Sequence, residues 1–209
     1  MRFSVEKKFI FLANPKTGST SMRKILNEYS EHNKLKALGK YHDHWTAQLY
    51  MNIFIELGYD WFGFFKFINI RNPWDKYVSN YHFSKPDSKF KPFYNEAYDK
   101  SAANSVSFND WVKYHLNELK EPPQGCPRVD RFAGDSDGNL LVDDIFPIES
   151  FAEKILPKLL KRLDLNINTI LPVLNKTKRD NYRSYFDDQS RKLVADFCYL
   201  DIEYGKYRF

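Results

Sequence analysis

Three stretches of this chain carry side chains whose types and spacing suit chemistry on anions. The first runs Asn14-Pro15-Lys16-Thr17-Gly18-Ser19-Thr20-Ser21. A glycine in such a loop lets backbone N–H groups come close to an anion. Ser19, Thr20 and Ser21 add hydroxyl donors, and Lys16 adds a mobile positive charge. A helix starting here would contribute unpaired N–H groups and the positive end of its dipole. The stretch reads as a cradle for a phosphate or a sulfate. The plainer reading is a capped helix after a turn, and it leaves the clustering of lysine, glycine and hydroxyls unexplained.

The second stretch places Ser79 eight positions after Arg71. A guanidinium fork and a hydroxyl together suit a terminal phosphate. Taken alone, Arg71 would as readily form an ion pair with Asp75; the upstream anion loop tips the balance toward phosphate. The third is Tyr41-His42-Asp43-His44-Trp45-Thr46-Ala47. A histidine, with a pKa near ~6.5, can take a proton from an attacking hydroxyl. His44 is the first candidate and His42 the second. A His-x-His pair can also bind metal, but no third ligand is evident. Cys126 and Cys198 form no metal-ligand spacing with the histidines, so no metal is expected.

The elements that must hold these stretches follow from hydrophobic spacing. Phe9 to Ala13 is a short apolar run that predicts a buried strand. Met22, Ile25, Leu26 and Tyr29 then fall on one helical face, with Ser19, Thr20 or Ser21 as its cap. Residues 34–44 read as a loop. A helix is expected over Thr46 to Leu57, with Leu49, Tyr50, Ile53, Phe54 and Leu57 on one side and Gly58 as its stop. Phe64 to Ile70 is a second apolar strand, followed by a helix bearing Trp74, Tyr77, Val78 and Tyr81. Strand, polar turn and helix thus occur twice, which predicts an α/β fold with a parallel sheet. Ligands of such sheets bind at the carboxyl ends of the strands, where both motifs lie. Further on, Ser107 is placed to cap a helix with Phe108, Trp111, Val112, His115 and Leu119. Leu140 to Ile148 reads as a strand, helices are expected near Ser150 to Leu163 and Gln189 to Tyr204, and Ile170 to Asp188 is mostly loop.

Bulk properties bound the rest. The chain has 209 residues, enough for a single domain over 1–209 with a small insertion. Hydrophobic residues make up 43% of it and aromatic residues 17%. The formal net charge is +5, with lysine and arginine spread along the chain. That suits an anionic ligand and argues against nucleic acid as a partner. No apolar stretch approaches the ~20 residues that span a bilayer, and Lys7 and Lys8 precede the first apolar run, so no integral membrane segment and a cytoplasmic location are expected.

The motifs resemble those of the PAPS-dependent sulfotransferase family, PAPS being 3′-phosphoadenosine 5′-phosphosulfate. Pro15-Lys16-Thr17-Gly18-Ser19-Thr20-Ser21 is similar to the family's 5′-phosphosulfate loop. It differs from the ATP and GTP loop GxxxxGK-Ser/Thr, whose lysine follows the second glycine. Arg71-Asn72-Pro73-Trp74-Asp75-Lys76-Tyr77-Val78-Ser79-Asn80-Tyr81 is similar to the second signature, RxPxxRxxSxY, with Lys76 where arginine is more usual. His44-Trp45-Thr46-Ala47 resembles the HxTA segment of uronyl-type and bacterial carbohydrate sulfotransferases. Supporting likenesses run through Asp137 to Ile145, Ile148 to Phe151, Leu171-Pro172 with Asn175 to Thr177, Tyr182-Arg183, and Leu193 to Gly205.

The resemblance implies a central parallel sheet like that of P-loop NTPases, flanked by helices. It implies sulfuryl transfer from PAPS to a hydroxyl, probing further toward a carbohydrate acceptor, with PAP as the product. Lys16, Thr17, Gly18, Ser19, Thr20 and Ser21 would hold the 5′-phosphosulfate and Arg71 and Ser79 the 3′-phosphate. His44 would be the catalytic base, with Lys16 also acting on the leaving group. Ser21 stands where cytosolic small-molecule sulfotransferases carry an adenine-stacking tryptophan, which favours the glycan branch; Trp45 and Trp74 are the rings left to stack or to pack a core. The part least matched, within an expected substrate-facing excursion over about 83–135, is where acceptor choice would reside. The rival functions are a nucleotide-kinase-like phosphotransferase and a non-catalytic module binding PAP or glycan. Oligomeric state is not readable from the sequence.

Overall fold

A computed structural model describes residues 1–85, 106–166 and 179–209. In chain order the elements are β1 (Arg2–Ser4), β2 (Phe9–Leu12), α1 (Ser19–Leu26), α2 (His32–Ala37), α3 (Ala47–Glu56), β3 (Phe65–Ile70), α4 (Pro73–Ser84), α5 (Phe108–Lys113), α6 (Val129–Ala133), β4 (Asp144–Pro147), α7 (Leu156–Arg162), α8 (Asp188–Phe197) and α9 (Tyr199–Gly205). The chain forms two compact units, Met1–Ile70 with Val129–Asn175 and Arg71–Arg128 with Lys176–Phe209. Much of the expected excursion, residues 86–105, and the Leu171-Pro172 and Asn175 to Thr177 segments lie outside the described residues.

The first unit is built on a four-stranded sheet in the order β1-β2-β3-β4. β2, β3 and β4 run parallel, with Phe11 opposite Phe67 and Phe67 opposite Asp144. β1 is an antiparallel edge strand, Phe3 opposite Ile10, that the apolar-run criterion passed over because it spans only three residues and begins with arginine. Alternation sends Phe9, Phe11 and Phe67 to one face, where Met22, Ile25 and Leu26 of α1 and Leu156 and Leu159 of α7 bury them. An aromatic cluster centred on Phe54 joins Phe3, Tyr59, Trp61 and Phe64, with ring centroids 5.1–5.6 Å from it. α3 forms where expected, its Thr46 side chain accepting from Leu49 N–H. Its buried stripe is Ala47, Tyr50 and Phe54, however, and Leu49 is turned outward. α2 occupies part of the stretch read as a loop, because His32 and Leu35, three apart, both find buried positions.

The second unit packs α4 against α5 and α8. Trp74, Tyr77, Val78 and Tyr81 meet Phe108, Trp111, Val112 and Val194, as the helical spacing of the first two groups predicts. Asn72 caps α4 by accepting from Asp75 N–H, and Pro73 occupies its first turn. Ser107 caps α5 by accepting from Asp110 N–H. The expected helix near the chain end breaks at Cys198 into α8 and α9. Cys126 and Cys198 are both buried in this unit as thiols.

Candidate functional site

The first unit carries the anion loop at the carboxyl end of β2. Asn14 Nδ2 donates to the Asn69 carbonyl at 3.1 Å, tying the loop to β3, and Thr17 Oγ1 donates back to the Asn14 carbonyl at 2.8 Å. Thr17 is therefore wholly buried, and its hydroxyl shapes the loop. Lys16 and Gly18 both adopt left-handed backbone, with φ of 61° and 70°. Gly18 is the N-cap of α1 and, lacking a side chain, makes no cap hydrogen bond there. This corrects the expectation that Ser19, Thr20 or Ser21 would cap the helix: they form the first turn instead. The first turn holds no acidic residue, so the dipole end is uncompensated by any carboxylate of its own. Ser19 and Ser21 are buried, and Thr20 Oγ1 accepts from Arg23 Nη2 at 3.2 Å.

Gly18 is confined by its neighbour as well as by its backbone. A Cβ there would stand 2.9 Å from Ile148 Cδ1. Gly18→Ala should cost about 1–2 kcal/mol from the left-handed backbone, read as a lower denaturation midpoint, and should weaken anion binding by shifting the loop.

His44 lies beside this loop. Its Nδ1 is 2.6 Å from the Ala13 carbonyl, one residue before Asn14. A carbonyl only accepts, so Nδ1 carries the proton and Nε2 keeps its lone pair. Burial pushes the His44 pKa down from 6.5 to about 4; the Ala13 contact opposes this and the Arg23 charge adds to it. The ring is thus neutral near pH 7, the state a proton acceptor needs. His42 is exposed and its Nδ1 accepts from His44 N–H at 3.2 Å. Asp43 turns to Arg23, Tyr41 and Arg2. Burial works against its carboxylate, yet the Arg23 and Tyr41 hydrogen bonds outweigh that and hold its pKa below the usual range. Asp43 consequently fixes the segment that carries His44.

The second unit carries the other motif. Arg71 follows the last residue of β3 and reaches Asp75 Oδ2 with Nε at 2.7 Å and Nη2 at 2.6 Å. The ion pair that the spacing allowed therefore forms. Ser79 is buried on α4, two turns on. Lys76 is buried too, its Nζ donating to the Pro127 carbonyl at 2.7 Å, so its role is to hold the fold. Trp74 belongs to the core, its indole N–H donating to the Arg191 carbonyl at 3.0 Å, and is not available to stack on adenine. Arg179 was not singled out from the sequence; its Nη2 is 2.5 Å from Asp75 Oδ1. The only hint of it is the basic stretch Lys176-Thr177-Lys178-Arg179.

Among the described residues no cluster of histidine, cysteine, aspartate and glutamate could hold a metal ion. Among them, too, no helix is long and apolar enough to cross a membrane. In comparison with known families, the sulfotransferase family matches residues 1–208. No match is found among curated proteins or solved structures.

Proposed function

The chain belongs to the sulfotransferase family, and from that premise we propose that it transfers a sulfuryl group from PAPS to a hydroxyl of a carbohydrate, with His44 as the base. The observation that supports this reading is the loop 15–18 leading into α1 through a glycine N-cap, with His44 bonded to the Ala13 carbonyl just before that loop. Lys16 and the start of α1 suit the 5′ end of a polyanionic nucleotide, and Arg71 with Ser79 suit a terminal phosphate.

PAPS would supply the sulfuryl group: the acceptor oxygen would bond to sulfur as the bond from sulfur to the 5′-phosphate oxygen breaks, and PAP would leave with that electron pair. Lys16, Gly18 and the backbone of Ser19 to Ser21 hold the 5′ end. Thr17 contributes through its backbone, since its hydroxyl is spent on Asn14. Arg71 and Ser79 hold the 3′-phosphate. His44 takes the acceptor proton at Nε2, while its Nδ1–H stays on Ala13. Lys16 and the α1 dipole favour the charge that gathers on the oxygen leaving sulfur. The carbohydrate acceptor is supported by the His44-Trp45-Thr46-Ala47 likeness and by Ser21 in place of tryptophan.

Thermal shift with PAP against ATP and Mg²⁺ tests the reading. PAP at about 100 times its Kd should stabilise the protein by about 2.7 kcal/mol, seen as a rise of several degrees. Stabilisation by ATP and Mg²⁺ without any by PAP would turn the assignment to a nucleotide-kinase-like phosphotransferase. With PAP binding established, labelled PAPS and a panel of sugars identify the acceptor. Binding without turnover across the panel would leave a non-catalytic module.

A further inference from the structure

The loop that carries His44 has a second tie besides the Ala13 carbonyl. Arg23 of α1 pairs through Nη1 with Asp43 Oδ2, and Asp43 immediately precedes His44. The same guanidinium donates from Nη2 to Thr20 Oγ1 at 3.2 Å and from Nε to the Ser19 carbonyl at 3.4 Å. One side chain thus touches both the first turn of α1 and the residue before His44. It is only 15% exposed, so water cannot readily replace these contacts. Asp43 is braced in turn. Its carboxylate accepts from the Tyr41 hydroxyl and, at 3.5 Å, from Arg2 Nη1, and its carbonyl accepts from the Met1 amine at 2.9 Å. The bond at Nδ1 holds the His44 ring by one atom. Where Nε2 points also depends on the backbone behind the ring, and the Arg23–Asp43 pair anchors that backbone to α1.

We propose that Arg23 is a positioning residue for the transfer reaction: it ties the start of α1 to the loop of His44, so that the anion loop and the proton acceptor keep one fixed spacing. This rests on the reading of His44 as the base given above. In-line attack puts the acceptor oxygen on the far side of sulfur from the departing oxygen, and the base must reach its proton there. A displacement of about 1 Å in such an arrangement can cost about 100-fold in rate. Arg23 also acts on the ring by charge. The charged and titratable groups around His44 are Arg23 from α1, the Met1 amine ahead of β1, and Asp43 and His42 from its own loop, with Tyr50 of α3 donating to the His42 carbonyl. Burial is the chief cause of the lowered His44 pKa. The Ala13 carbonyl opposes it, the Arg23 and Met1 charges add to it, and the Asp43 charge opposes it. Loss of the Arg23 charge therefore moves the His44 pKa up.

The test is whether Arg23 acts through His44. Arg23→Gln in the full chain should lower kcat for transfer from labelled PAPS about 10- to 100-fold, with PAP affinity by calorimetry changed far less. Made in a His44→Ala background, the same substitution should lower kcat no further, because two residues that act as a unit are not additive. Arg23→Lys keeps a charge for Asp43 and loses the fork that also reaches Thr20 and Ser19, so its kcat should fall between. If Arg23→Gln fails to fold, Arg23→Lys decides by the same pair of backgrounds. A second measurement needs no acceptor: NMR titration of the His44 imidazole should give a midpoint above the wild-type value of about 4 in Arg23→Gln. An unmoved midpoint, or an equal loss of kcat with and without His44, overturns the proposal and leaves Arg23 a structural residue. Slow turnover by His44→Ala beside wild-type turnover by Arg23→Gln removes only the role of Arg23. Wild-type turnover by His44→Ala removes the base, and the tie with it.

Discussion

Lys16→Ala is expected to lower kcat about 100- to 1,000-fold, the loss typical when one preorganised donor to a developing charge is removed. The position of Lys16 gives the reason. A lysine held at φ of 61° is strained, since left-handed backbone costs a non-glycine residue about 1–2 kcal/mol. Strain of this kind persists where the surrounding structure imposes it, and it gathers at functional sites. Lys16 lies between Pro15 and the buried, inward-bonded Thr17, and two residues before the N-cap of α1. On the proposed mechanism an ammonium group there would add to the dipole end in stabilising the oxygen that leaves sulfur. Lys16→Gly separates the two contributions. It relieves the backbone, so its thermal midpoint should be no lower than that of the wild type, while its kcat should fall as far as that of Lys16→Ala. Wild-type turnover in either variant would remove Lys16 from the chemistry.

What could be read from the chain in advance was whatever depends on near neighbours. The runs Phe9 to Ala13 and Phe64 to Ile70 emerge as β2 and β3 because strands buried on both faces are rich in apolar residues, Lys66 and Asn69 being the polar exceptions in β3. The Ser107 cap acts within three residues of itself. The anion loop and Arg71 with Ser79 were visible for the same reason, as compact patterns. Contacts across long separations were not. Nothing in the spacing says that His44 will find the Ala13 carbonyl, 31 positions away, or that Arg179 will meet Asp75 across 104. Leu49 shows a subtler failure: its spacing fits the apolar stripe of α3, but the face that packs places Phe54 against Phe3 and Trp61 and Tyr50 against Trp45. The N-cap of α1 was misplaced because serine and threonine are the usual caps. Here the glycine takes that position in left-handed backbone and has no side chain with which to cap the helix.

His44→Ala should lower kcat about 100- to 10,000-fold while PAP affinity stays close to that of the wild type, because on the proposed mechanism the ring serves proton transfer and does not hold the nucleotide. The pH behaviour gives the assignment a second handle. With the His44 pKa pushed down from 6.5 to about 4, chiefly by burial, the folded protein keeps the imidazole neutral well below pH 6.5. The acid limb of the kcat profile should therefore lie nearer 4 than 6.5, and it should vanish in His44→Ala. Stability follows with a defined sign. Between 6.5 and about 4 the unfolded chain binds a proton that folded His44 refuses, so stability declines as pH falls through that window. His32, also buried and lowered to about 4, acts in the same direction, so His44→Ala should flatten the decline without abolishing it. NMR of the imidazole nitrogens reads the same state directly: near neutral pH, Nδ1 should be protonated and Nε2 bare. A His44→Ala enzyme that turns over at the wild-type rate would end its candidacy as the base, whatever its titration shows.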